Sequence, residues 1–342
     1  MDTPTEQTPH LKRIIGALLG LHAGDSLGAT LEFCSWSSIQ RDYPRGLRDI
    51  VGGGHFNWAA GDATDDTDLT RAVLLAYQDA TRSGLPRADF DICRAAGTHM
   101  LEWFEGRWPG RTPGRRPVDV GGATATGLSR LLRTGDPDRS GAGRGRAGNG
   151  SLMRCLPTGL FRRDEQAIVA DSMRISAITH DDIRCTVACA AYNAVVCKLV
   201  DGGLPEAAVT AGLELAESLA AEQQCGPAVQ DAIELGKSLS ISDMAENGPK
   251  ALPGKGSGYV LDSLVIAVAA VMDPRPLVDV LVDVVRIGSD TDTNAAIAGG
   301  LLGARDGADA VPVEWVEVLQ FAREFTEIAT ELADEREKPL RL

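Results

Sequence analysis

Between residues 11 and 23 the apolar side chains Ile14, Ile15, Leu18 and Leu19 recur at helical spacing, with Gly16, Ala17, Gly20 and Ala23 among them. This pattern predicts a buried first helix, and its small residues let a second helix approach the backbone closely. Leu, Val and Ala at i, i+3 and i+4 predict further helices over about 67–83, 87–105, 121–133, 165–179, 182–202, 205–222, 226–239, 258–273, 275–287, 294–304 and 312–335. Alternation of the kind a half-buried strand needs is scarce.

Segments without period separate these runs. Residues 34–63 mix Gly, Pro, Trp, His and Asp and read as one long functional loop. Residues 106–117 and 135–148 are basic breaks rich in Gly, Pro and Arg, and 242–257 is a third connection full of helix breakers. Each is short for a linker between domains, and no internal repeat is evident. The expected fold class is all-α, a single compact multi-helix domain over residues 11–336 that follows a disordered tail over residues 1–10.

A chain of 342 residues with 44% hydrophobic content can bury a large core. Its net charge of −14 suits no nucleic-acid polymer, because phosphate binding needs clustered Lys and Arg to displace counterions. A small anionic ligand stays open, since local Arg and helix N-termini hold phosphate inside an acidic protein. The seven cysteines, Cys34, Cys93, Cys155, Cys185, Cys189, Cys197 and Cys225, contain no Cys-x-x-Cys pair and no zinc spacing. They read as reduced, mostly buried small hydrophobes. The polar start of the chain has no apolar signal core, and no later apolar run approaches bilayer-spanning length. The expected setting is cytoplasmic, as a monomer with no membrane partner.

Two oxygen-rich segments carry the candidate chemistry. Residues 61–68 hold four carboxylates and two hydroxyls immediately before a helical run. Such ligands suit hard cations, although N-capping and an acidic first turn explain this segment alone equally well. Gly288-Ser289-Asp290-Thr291-Asp292-Thr293-Asn294 also precedes an Ala/Gly-rich helix. Asp290 and Asp292 do not share a helix face, so both reach one ion only where the backbone is irregular or just entering the helix. A calcium EF-hand fails here, since its sixth position would be Ala295 and its twelfth Leu301. Two carboxylate groups brought together repel unless cations lie between them. A shared divalent site would fold the two distant segments together, activate a water and orient a substrate's oxygens.

Gly24-Asp25-Ser26-Leu27-Gly28 with Glu32, Thr64-Asp65-Asp66-Thr67, Asp119-Val120-Gly121, Gly148-Asn149-Gly150-Ser151-Leu152-Met153-Arg154, Thr179-His180, Gly258-Tyr259-Val260-Leu261-Asp262 and the 288–293 segment follow one another along most of the chain. In order and approximate spacing they resemble the signature blocks of the ADP-ribosylglycohydrolases, which include dinitrogenase-reductase-activating glycohydrolase and the ADP-ribosyl-acceptor hydrolases. The resemblance implies an all-α fold with a binuclear magnesium or manganese centre at the floor of an ADP-ribose cleft. Carried over residue by residue, it has Thr64, Asp65 and Asp66 bind metal from one side and Asp290, Asp292 and Thr293 from the other. It makes Glu32, on a flap, and Asp119 the catalytic carboxylates. Their plainer readings are a solvated loop acid and a helix N-cap.

Gly121, Gly148, Asn149, Gly150, Ser151, Met153, His180 and Tyr259 are the implied contacts to ADP-ribose. The backbone N–H groups of the Gly-rich stretch 143–153 can approach a diphosphate, with a flexible surface loop as the alternative. His180 either caps the preceding helix or touches the ligand, and Tyr259 either stacks on adenine or ribose or belongs to the core. The implied reaction is hydrolysis of the bond between ADP-ribose and an acceptor on a modified protein, arginine ahead of serine. Action on a free ADP-ribose derivative or nucleoside metabolite is one alternative. A non-catalytic ADP-ribose-binding or structural role is another, against which all six metal positions keep oxygen-bearing side chains. The chain departs from the family pattern at Val120-Gly121-Gly122-Ala123, where a more polar pair is expected, and along the Arg-rich stretch 107–116. Both lie where they would shape the acceptor entrance.

Overall fold

Thr8 accepts a hydrogen bond from the Leu11 amide, and Pro9 follows at the first helical turn, where a missing N–H leaves nothing unpaired. In the computed structural model, which describes residues 7–86 and 88–337, this cap opens helix α1 (Pro9–Gly28). The helix therefore starts two residues before the expected domain boundary, and residues 1–6 of the expected tail lie outside the described residues.

Fifteen more α-helices follow, with no strand among the described residues. They are α2 (Trp36–Asp42), α3 (Asp65–Arg82), α4 (Ile92–Phe104), α5 (Gly122–Thr134), α6 (Leu156–Phe161), α7 (Glu165–Ala177), α8 (Ile183–Val200) and α9 (Pro205–Glu222). Then come α10 (Ala228–Ser238), α11 (Ile241–Asn247), α12 (Val260–Met272), α13 (Leu277–Arg286), α14 (Thr291–Asp306), α15 (Val313–Val318) and α16 (Ala322–Glu337). The all-α expectation holds. The long loop expected over 34–63 contains α2, the 242–257 connection contains most of α11, and the single run over 312–335 is broken into α15 and α16.

Four helices, α1, α8, α12 and α14, are buried on nearly every side, as an all-round apolar composition requires. α8 corrects one sequence expectation. Its 18 residues are long and apolar enough to cross a bilayer, yet 72% of them are buried inside the protein against α6, α7 and α9.

α1 and α14 position the site. Gly16, Gly20, Gly24 and Gly28 form one stripe along α1 and face Ala295, Gly299 and Gly303 on α14. A Cβ on Gly20 would lie 2.4 Å from the Gly299 carbonyl oxygen, and one on Gly24 would lie 2.1 Å from that of Ala295. Only glycine permits this approach. The two backbones thus run in contact over three turns, and the C-terminal end of α1 is held against the N-terminal end of α14, where Thr291 Oγ1 donates to the Gly28 carbonyl at 2.7 Å.

Candidate active site

Three helix ends meet at one point. The Oδ2 of Asp25, in the last turn of α1, accepts hydrogen bonds from the Thr64 amide at 3.1 Å, the Thr67 amide at 3.2 Å and the Thr67 hydroxyl. One carboxylate oxygen therefore fixes the entry of α3. Thr64 caps α3 through its hydroxyl, which accepts from the Asp66 amide. From the third side, Thr293 in the first turn of α14 donates to Asp66 Oδ2 at 3.2 Å.

Capping accounts for Thr64 but not for the second acidic segment. Asp290 occupies the N-cap position of α14 at φ −91° and ψ 73°, yet its carboxylate makes no cap hydrogen bond. Its Oδ2 instead accepts from Asn149 Nδ2 at 2.7 Å, and the same amide donates to Ser263 at 3.0 Å. The preceding Ser289 has φ +70°. Asp290 and Asp292 thus converge because the backbone is irregular before the helix and only then entering it, as residues two apart require.

The carboxylates form two overlapping triples. Ligand oxygens of Asp25, Asp66 and Asp292 lie within 4.8 Å of one another, as do those of Glu32, Asp290 and Asp292, so Asp292 belongs to both. Asp25 Oδ1, Glu32 Oε2, Asp66 Oδ1 and Asp292 Oδ1 are buried without a hydrogen-bond partner. Buried polar atoms are ordinarily paired, and four unpaired oxygens from neighbouring acids mark a place where positive charge is wanted. Burial, then the neighbouring acids, holds Asp65, Asp66 and Asp292 well above the usual carboxylate range. Burial raises Asp25 to about 7 against the hydrogen bonds from Thr67 and Thr64. Burial and then Asp119, Asp290 and Asp25 raise Glu32 to about 8. Asp119 stands at about 6, lifted by burial and Asp290 and pulled back by Arg111 and His55. The donor set is all oxygen, tightly gathered and short of hydrogen-bond donors, and it fits hard divalent cations.

Above this floor opens a cleft of about 500 Å³. Of the predicted site residues, Glu32, Asp65, Asp119, Gly121, Gly148, Asn149, Gly150, Met153, His180, Asp290, Asp292 and Thr293 line it. Thr64 and Asp66 lie buried beneath. The other two fall elsewhere. The Ser151 hydroxyl is 1% exposed and sits between Ser176 Oγ at 2.9 Å and Cys189 Sγ at 3.6 Å, and Tyr259 pairs with Arg184, whose guanidinium lies 5.8 Å from its ring. The His180 amide closes the last turn after α7 onto Ser176, as a capping role requires, and its ring faces Gly148 and Gly150 at the cleft. Burial, then Arg154, depresses it to about 3, which keeps the imidazole neutral.

Sequence reasoning did not single out several groups at the site. Asp25 is the foremost; its signal was a lone carboxylate in a helix otherwise apolar and glycine-rich. Phe33, 62% exposed with φ +65°, stands at the cleft mouth with its ring 5.2 Å from His55 and 6.2 Å from Phe56. A bulky residue in the left-handed region carries strain, which concentrates at functional sites. Its amide donates to Ser289 O and the Ser289 amide donates to Cys34 O, both at 2.8 Å, so the Glu32 flap is laced to the Asp290 segment. The Thr124 hydroxyl is buried beside the cleft without a partner. Asp68, whose role the sequence left open, is wholly buried and accepts from Trp103, Trp108 and Arg111. It anchors the 106–117 segment. All seven cysteines are free, in line with expectation.

Fold and site together define an all-α protein with carboxylate clusters able to hold metal at the floor of a ligand-sized cleft. The chain belongs to the ADP-ribosylglycohydrolase family, whose profile it matches over residues 6–341, and that family is one of enzymes. It is 32% identical over 326 residues to the ADP-ribosylarginine hydrolase Tri1 of Pseudomonas putida (strain GB-1), spanning 95% of this chain and 78% of that one. It is 29% identical over 309 residues to the ADP-ribosyl-[dinitrogen reductase] glycohydrolase of Rhodospirillum rubrum, with 90% of each chain covered. Among solved structures it superposes on one described as an ADP-ribosylglycohydrolase-related protein complex with a TM-score of 0.74 at 26% identity, covering 95% of this chain and 98% of the other.

Proposed function

We propose that this chain hydrolyses the bond between the anomeric carbon of the distal ribose of ADP-ribose and a protein side chain, with arginine as acceptor ahead of serine. Two divalent cations, magnesium or manganese, would be held by Thr64, Asp65, Asp66, Asp290, Asp292 and Thr293, with Asp25 and Glu32 completing the two triples. The observation that carries the reading is the convergence of unpaired, buried carboxylate oxygens from α1, α3 and α14 at the floor of one cleft. When bound, the cations supply positive charge that orients ribose hydroxyls and a water.

The chain's own groups do the rest. Asp119 lies outside both triples, half-buried on the cleft wall and raised to about 6, so it is ionised near neutral pH and placed to take a proton from the attacking water. Cleavage passes through an oxocarbenium-like state, which the carboxylates around the cleft floor stabilise. The α5 N-terminus at Gly121 and Gly122, the Thr124 hydroxyl and the Gly148 and Gly150 amides offer donors to the diphosphate, while the Asn149 amide is held by the Gly258 carbonyl. At the mouth, the rings of Phe33 and Phe56 suit a guanidinium, which stacks on aromatic faces where a serine hydroxyl gains nothing. The name of the Pseudomonas putida relative, an ADP-ribosylarginine hydrolase, supports the same acceptor.

The test is release of free ADP-ribose from arginine-linked and serine-linked conjugates by chelator-treated protein, with and without added magnesium or manganese. Cation-dependent release, faster from arginine, is expected. Release that a chelator leaves undiminished removes the metal assignment, and absence of release from both conjugates removes the function.

A further inference from the structure

The two Arg-rich breaks remain unexplained by the cleft. Residues 106–148 contain nine arginines, no lysine and three aspartates, a net charge of +6 in a chain of −14, which leaves −20 for everything else. Folding sets part of that charge along one face, while Arg111 turns inward to pair with buried Asp68 and Arg144 borders a separate hollow beside Asp181 and Asp182. Arg107 and Arg116 border a shallow hollow with Leu132 of α5, and Arg130 and Arg133 border the next hollow along the same helix. Arg116 is braced by the Phe104 ring at 4.3 Å, and Arg130 donates to the Gly141 carbonyl, which joins α5 to the second basic loop. The face begins at the cleft, because Val118, Asp119 and Gly121 to Thr124 form the cleft wall from which α5 departs.

The three aspartates do not neutralise it. Asp119 faces the cleft, Asp136 caps the Asp138 amide, and Asp138 is paired with Arg174. Among the described residues, Arg115 and Arg133 enter no ion pair, and Arg107 pairs only with the neighbouring Glu105. Exclusive use of arginine also fits recognition of carboxylates, for which its fork is built and which Lys, a strongly hydrated point charge, serves less well.

We propose that this arginine face docks an acidic segment of the protein that carries the ADP-ribosyl group, seating its carboxylates on Arg107, Arg115, Arg116 and Arg133 while the modified side chain enters the adjacent cleft. The proposal rests on the hydrolase reading above. A short acidic segment fits better than a long polyanion, because the −20 on the rest of the molecule repels a strand that extends beyond the face by more than a screening length.

The experiment uses three arginine-ADP-ribosylated peptides of equal length, with glutamate-rich, serine-rich or lysine-rich flanks, beside free ADP-ribosylarginine. At low salt kcat/KM should fall in that order, by roughly tenfold from first to last, and the spread should close as salt rises. In the Arg107→Glu/Arg115→Glu/Arg133→Glu protein the order should invert while turnover of free ADP-ribosylarginine stays unchanged. The matching triple Arg→Lys protein should keep the wild-type order. An unchanged order after charge reversal overturns the proposal, and so does an equal loss on the free conjugate. Anisotropy of a labelled glutamate-rich peptide lacking ADP-ribose reads the face alone. Retention by wild type and loss in the charge-reversed protein supports the docking face even where no conjugate is cleaved, an outcome that defeats only the hydrolase reading. Tighter retention of a single-stranded oligonucleotide than of this peptide overturns the acidic-protein partner.

Discussion

Asp25, Glu32 and Asp119 share an electrostatic problem that either a proton or a bound cation relieves. Asp25 and Glu32 are buried and Asp119 half-buried near other acids, and each holds its proton to a higher pH than an exposed carboxyl does, to about 7, 8 and 6 respectively. The folded chain therefore binds more protons than the unfolded one over this range, so stability falls as pH rises. The contribution is complete below about pH 4, where both states are protonated, and is lost stepwise as pH climbs through the folded values. Depressed histidines act in the opposite sense on the acid side, since His22, held near 4 by burial, must be charged on unfolding. We expect the melting temperature of chelator-treated protein to drop between about pH 6.5 and pH 8.5, and millimolar magnesium or manganese to remove most of that drop. A melting temperature that stays level across this range in chelator contradicts the electrostatic account.

At the scale of elements, the glycine stripe between α1 and α14 decides whether a site exists. Gly20 is remote from the carboxylates, yet its Cβ position is 2.4 Å from a backbone oxygen of α14 that has nowhere to turn. Gly20→Ala should therefore cost about 1–3 kcal/mol of overpacking, against a helix-propensity gain of up to about 1 kcal/mol, and should weaken cation binding by parting Asp25 from Asp292. Urea denaturation with a parallel manganese titration checks both, and a variant with wild-type stability and affinity refutes the coupling. The same helices were legible in sequence, because long runs such as α8, α9 and α12 repeat their apolar period often enough to be read. α2, α6 and α11 were not read: six or seven residues give too few turns for a period, α6 carries Pro157 and Gly159, and α2 buries only Ile39. Their stability comes from what they pack against, which sequence does not display.

At the scale of the whole molecule, what sequence could offer was two acidic segments far apart in the chain and a reason to bring them together. Thr64 to Asp66 and Asp290 to Thr293 meet as that reason required. Asp25 stood in the Gly24–Gly28 block without an assigned role, since within a buried helix a lone carboxylate gives no spacing signal of its own. Ser151 and Tyr259 do not line the cleft, because an alternation of glycines with polar residues tells which segment approaches a cleft, not which side chains turn into it. The acid-lined floor, the aromatic mouth and the arginine face then form one sequence of surfaces, each suited to a successive part of a modified protein: ribose, acceptor side chain, flanking chain. The floor depends on carboxylates from opposite ends of the polypeptide sharing cations, and Asp292 is the residue common to both triples. Calorimetric titration of manganese into the chelator-treated wild type and Asp292→Asn proteins addresses that dependence most directly. The account predicts two ions bound by the wild type and loss of both high-affinity events in the variant; equal stoichiometry and affinity in the two proteins, or no saturable binding by the wild type, would contradict it.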